Sequence, residues 1–162
     1  MSLPTFIALE GAADDEQSYP VSIAWSLSDG SIKQALIYPD ADWREDEASL
    51  VTKDAMDLDL HGYAADEVVR ELLYDQEDDV LYVDALHPQE AWLLKLFAAA
   101  DQEVGFQLIE ALELYDDPDT WQETRREAME FLGLDPSRAE DQVRALLEAH
   151  VILTGDQPDI SD

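Results

Sequence analysis

Hydrophobic and polar positions fall into short, well-separated blocks along this chain. Residues 4–10, Pro-Thr-Phe-Ile-Ala-Leu-Glu, are an apolar run closed by one carboxylate, Glu10, and predict a first strand. Residues 19–27 alternate, with Val21, Ile23, Trp25 and Leu27 set between smaller or polar residues, the period of a half-buried strand. Asp29-Gly30 is a hairpin turn signal, and residues 31–38 return as a third strand. Three antiparallel strands are thus expected at the start.

Residues 39–60 are acidic and irregular. The period then changes to that of a helix over 64–75, where Val68, Leu72 and Leu73 share a face and acids sit in the first turn. Residues 80–86 form a short buried strand. A helix follows over 88–101, with Pro88 at its start and Trp92, Leu93, Leu96, Phe97 and Ala100 on its core face. A strand begins at Phe106, and two helices, 118–132 and 137–151, finish the pattern. The order β-β-β-α-β-α-β-α-α predicts an α/β domain over residues 1–155 and a polar tail over 156–162.

Composition narrows the class. A chain of 162 residues suits one domain with a single core. There is no cysteine, which removes disulfides, thiolate zinc sites and cysteine nucleophiles. No stretch approaches the roughly 20 apolar residues of a membrane span, and a soluble, cytoplasmic protein without membrane association is expected. Nine Lys and Arg stand against 39 Asp and Glu, a formal net charge of −30. Nucleic-acid affinity rests on cations that neutralise phosphates, so this balance argues against a nucleic-acid ligand. A solvated acidic surface is the simplest reading, and mimicry of nucleic acid toward a basic partner is the sharper one. The oligomeric state is open, a homodimer included.

The ordered set IALEGA, SYPVSIAW, SLSDGSI, LHGYAADEV, LYVDALHPQEAWL and SRAEDQVRAL resembles the ribonuclease-H-like fold, and within it the DEDD-type (DnaQ-like) 3′–5′ exonucleases. The resemblance spans roughly residues 5–150. It implies a three-layer α/β fold, with a mixed five-stranded sheet whose first three strands are antiparallel, flanked by helices. It also implies phosphodiester hydrolysis by two Mg²⁺ ions about 4 Å apart, held by carboxylates, with a histidine as general base.

Carried across by position, the first Asp-x-Glu motif falls on Ala8-Leu9-Glu10, the helix Asp on Gln89, the histidine on Ser137 and the last Asp on Gln142. Alanine offers no ligand, glutamine only a neutral amide oxygen, and serine no base without an activating partner. Glu10 is the one position of the five that keeps its carboxylate. The resemblance with these replacements implies an exonuclease-like protein that has lost nuclease activity, needs no cofactor and is retained as a binding or regulatory module with an unidentified protein partner. The alternative is an active exonuclease whose metal ligands have moved, with Glu10, Asp84 and Asp141 as candidates for Mg²⁺ or Mn²⁺. One helix position is about 100° of rotation, so Asp141 is expected to point away from where residue 142 points.

Other groupings have plainer readings. Asp57, Asp59 and His61 have metal-like alternation, but His61-Gly62 reads better as a turn before a helix. Residues 40–51 resemble a calcium loop only in part, with Glu45 and Val51 where glycine and glutamate are needed. His87 reads as a helix-entry residue and His150 as a packed or surface imidazole. Trp25 and Trp92 have core spacing, whereas Trp43 and Trp121 are the expected exposed pair. Arg125, Arg126, Arg138 and Arg144 are expected in ion pairs within their own helices.

Overall fold

The computed structural model describes residues 4–12, 17–38, 62–76 and 79–155. Trp43, the calcium-loop-like segment, Asp57, Asp59, His61 and the tail lie outside the described residues. Strands β1 (Ile7–Gly11), β2 (Pro20–Ser26) and β3 (Ile32–Leu36) form an antiparallel sheet in the order β1-β2-β3. Helix α1 (Ala65–Asp75) follows, then β4 (Val80–Val83), α2 (Leu86–Ala99) and β5 (Gln107–Glu110). A 3-10 turn (Ala111–Leu114) leads to α3 (Pro118–Leu132) and α4 (Ala139–Thr154).

β4 and β5 pair in parallel as a separate two-stranded sheet. Among the described residues one rung connects the two sheets: Phe6 bridges Tyr82 in parallel, and the Tyr82 N–H donates to the Thr5 carbonyl at 2.9 Å. Among the described residues the expected five-stranded sheet is therefore three strands plus two, joined at one bridge. The ladder stops there because β4 is only four residues long and meets β1 just before its paired stretch.

Side chains alternate across β1 and β2 and so divide the core into two layers. Ile7, Leu9, Ile23 and Trp25 pack with Val68, Val69 and Leu72 of α1 and with Trp92, Leu93, Leu96 and Phe97 of α2. Phe6, Ala8 and Ala24 face the other way, against Ala139, Val143, Leu146 and Ala149 of α4. Small residues on both sides let α4 lie close to the sheet. Because helices cover both faces, β2 is buried along its whole length, contrary to the half-buried strand expected from its alternation. Its polar positions are absorbed internally, as where Ser26 Oγ accepts the Phe6 N–H at 2.9 Å.

Leu73 is partly exposed and Val69 takes its place in the α1 core face. Trp121, expected on the surface, is 1% exposed and stacks on Tyr115, with ring centroids 4.2 Å apart. Helix α3 starts from Asp117, whose Oδ1 accepts the N–H groups of Asp119 and Thr120, with Pro118 next in line. It ends at Gly133, in the left-handed region at φ 66°, which a side chain disfavours. Among the described residues no helix is long and apolar enough to cross a membrane.

Candidate functional site

Glu10 closes β1 on the face that carries α4, beside an irregularity in the β1–β2 register between Glu10 and Gly11. Its Oε2 accepts the Ala139 N–H at 2.8 Å, in a buried bond between residues 129 apart in sequence. Ala139 opens α4, and Arg138 before it supplies no side-chain cap. The first N–H groups of a helix have no intrahelical acceptor and carry partial positive charge. Glu10 meets both needs from across the fold.

Gln89 is a buried polar residue of α2, and its Oε1 accepts the Leu9 N–H at 2.8 Å. Phe6 bonds with Ser26 across the β1–β2 ladder, so by strand alternation the Leu9 N–H points away from β2. A longer β4 would supply its acceptor there, and the Gln89 amide fills that missing rung. Gln89 Nε2 donates to Gln142 Oε1 at 3.2 Å, and Gln142 Nε2 donates to the Pro136 carbonyl at 2.9 Å. The bonds run one way, from β1 through α2 and α4 to the loop before α4. The Leu9 N–H sets that direction, since it requires an oxygen from Gln89.

Glu10, Gln89 and Gln142 thus come together at β1, α2 and the start of α4. Ala8 lies on the same strand, fully buried and without a donor atom. Ser137 does not join them: it is exposed, and its Oγ and N–H both donate to Asp135 Oδ1, at 2.7 and 2.9 Å. Asp141 Oδ2 accepts the Asp135 N–H at 2.9 Å, so it braces the α3–α4 turn rather than facing Gln142's partners.

Asp84, just past the end of β4, pairs with Arg125 of α3, Oδ1 to Nε at 3.2 Å. Burial pushes the Asp84 carboxyl above its ordinary value; Arg125 opposes that shift and the nearby Glu110 carboxylate adds to it. Glu110 Oε2 accepts the Leu86 N–H at 3.1 Å. The Arg125 partner corrects the expectation of ion pairs within its own helix. Sequence periodicity carries no trace of this contact, because it joins a strand end to a helix far along the chain.

His87 sits exposed at the entry to α2, where its backbone is not helical. His150 is buried in α4, with Nδ1 2.7 Å from the Tyr115 hydroxyl and its ring edge against Phe6. Burial raises the Tyr115 phenol well above its ordinary value, so it stays protonated in this contact.

Mg²⁺ requires hard, mostly anionic oxygen ligands. The Gln89 and Gln142 oxygens are neutral and already accept N–H bonds, and the Glu10 carboxylate is engaged by Ala139. This donor set does not fit a pair of dications. Among the described residues no group of three or more His, Cys, Asp or Glu is arranged to hold a metal ion.

No protein-family model matches the chain, and no curated protein matches its sequence. Among solved structures, it is similar to a chain of the yeast NOT1 MIF4G domain co-crystallized with CAF1, with TM-score 0.63 and 12% identity over 93% of this chain and 78% of that one. The Mopeia virus exonuclease domain partially complexed with manganese aligns more loosely, with TM-score 0.48 and 16% identity over 98% of this chain and 79% of that one. At such identities the first likeness is one of fold alone, and the second is too loose to add to it. What stands is an α/β chain that shares its fold with part of that yeast complex.

Proposed function

We propose that this chain is a ribonuclease-H-like, exonuclease-like protein without nuclease activity, serving as an acidic protein-binding module. The observation that carries the reading is the one-way amide relay from the Leu9 N–H through Gln89 and Gln142 to Pro136. It lies where the resemblance calls for anionic metal ligands, and it satisfies its own hydrogen bonds without any ion. Glu10, the carboxylate that remains at those positions, serves as a helix cap. Excess negative charge further favours a protein partner over a nucleic acid. The yeast structure of similar fold holds two proteins, which agrees with a binding role by analogy only.

Purified protein incubated with an end-labelled single strand and Mg²⁺ or Mn²⁺ should leave the strand intact. Sustained cleavage that disappears in folded Glu10→Gln protein would overturn the reading and favour relocated carboxylates.

A further inference from the structure

Tyr115, Trp121 and His150 form a cluster of oxidisable and basic groups away from the cleft. Tyr115 lies in the connection before α3, Trp121 in the first turn of α3, and His150 near the end of α4. The Tyr115 ring lies flat on the Trp121 indole, with centroids 4.2 Å apart and planes 13° apart. Its hydroxyl stands 2.7 Å from His150 Nδ1. Trp121 and His150 are 1% and 6% exposed, and Tyr115 is half-buried.

Thiolates, indoles and phenols are the side chains that give up single electrons most readily, and this chain has no cysteine. A phenol that loses an electron becomes a far stronger acid. Its oxidation is therefore easy only where a base takes the proton as the electron leaves. Water is a very weak base; imidazole, whose conjugate acid has a pKa of about 6.5, is a good one. Burial pushes the Tyr115 phenol well above its ordinary value, which closes the other route, prior ionisation to phenolate. Stacking on the indole lets the two π systems share the electron deficiency before the proton moves.

We infer that Tyr115 is a reversible one-electron donor whose phenolic proton passes to His150. A one-electron oxidant takes an electron from the stacked pair. The Tyr115 O–H bond breaks and an N–H bond forms at His150 Nδ1, which leaves a neutral tyrosyl radical beside an imidazolium. A one-electron reductant of the ascorbate class returns the electron, and the proton goes back to the phenol oxygen. Electrons tunnel through protein, so the site needs neither direct contact with the oxidant nor an open surface. The inference stands apart from the reading of the cleft, since it uses neither Glu10 nor the amide relay.

The test is flash photo-oxidation of the purified protein by a ruthenium(II) polypyridyl sensitiser with persulfate as electron acceptor, read by transient absorbance and EPR. A tyrosyl radical is expected that forms more slowly in heavy water and is quenched by ascorbate. Tyr115→Phe keeps the ring but removes the O–H, and most of the signal should be lost. His150→Gln keeps a hydrogen-bond acceptor but not a base, and should slow radical formation roughly a hundredfold, the low end of what a positioned base contributes. Nitrogen NMR of the unaltered protein gives a second decision that no variant's misfolding affects: at neutral pH His150 Nδ1 should show the shift of a bare, proton-accepting nitrogen. A protonated Nδ1 in the resting protein overturns the inference. So does a tyrosyl signal of equal size in folded Tyr115→Phe, or an unchanged rate in folded His150→Gln, which would send the proton to water.

Discussion

Glu10 holds the N-terminus of α4 through one hydrogen bond, and that role makes a graded prediction. Glu10→Ala leaves a buried N–H without its acceptor and should cost roughly 1–3 kcal/mol in urea denaturation. Glu10→Gln keeps a neutral acceptor but loses the charge facing the helix dipole, so it should cost less than the alanine variant. Equal stability of all three proteins would remove the capping role. Gln89→Ala is expected to destabilise by about the same 1–3 kcal/mol, because the buried Leu9 N–H loses its acceptor. Amide hydrogen exchange at Leu9 should then accelerate more than at its neighbours in β1. The nearness of Glu10, Gln89 and Gln142 was legible in the sequence through the ordered motifs of the resemblance. The bonds among them were not, because which oxygen accepts which proton depends on how far β4 runs beside β1.

At the scale of elements, periodicity placed strand and helix boundaries to within three residues; the strand expected over 19–27 runs from Pro20 to Ser26, whereas the one expected over 80–86 already ends at Val83. It misjudged burial where two layers meet. Alternation along β2 reads as one wet face, yet Ser22 and Ser26 are buried under α4's side of the sheet. In α3 the fully buried positions are Trp121 and Ala128, a line too thin to read as a core face. Helix α3 also offers a pH test. Thr120's hydroxyl, followed by its backbone N–H, holds the Asp117 carboxyl below its ordinary value of 3.8. A carboxyl depressed in the fold contributes stability above its unfolded value and loses it as pH falls through the folded one. Asp117→Ala should therefore unfold at a lower temperature than the parent at neutral pH. The gap should close as pH drops below 3.8. A gap that is constant across acid pH would mean that the carboxylate's charge plays no part in the cap.

For the molecule as a whole, charge is the dominant unsatisfied term. A net charge of −30 repels itself in the folded state, and few cations are present to offset it. Raising NaCl from about 0.01 to about 0.5 M shortens the screening length from roughly 30 Å to a few ångströms and should raise the urea midpoint. A fall instead would mean that attractive pairs such as Lys33 with Asp75 outweigh the repulsion.

The bond between Glu10 and Ala139 also sets an order in time. The strands leave the ribosome before α4, which covers Phe6, Ala8 and Ala24. Until Ala139 and the helix behind it are free of the exit tunnel, one face of the nascent sheet has no cover and Glu10 has nothing to cap. Closure of this face must then wait until α4 has been made, 129 residues after Glu10, and contacts this distant in sequence are slow to close.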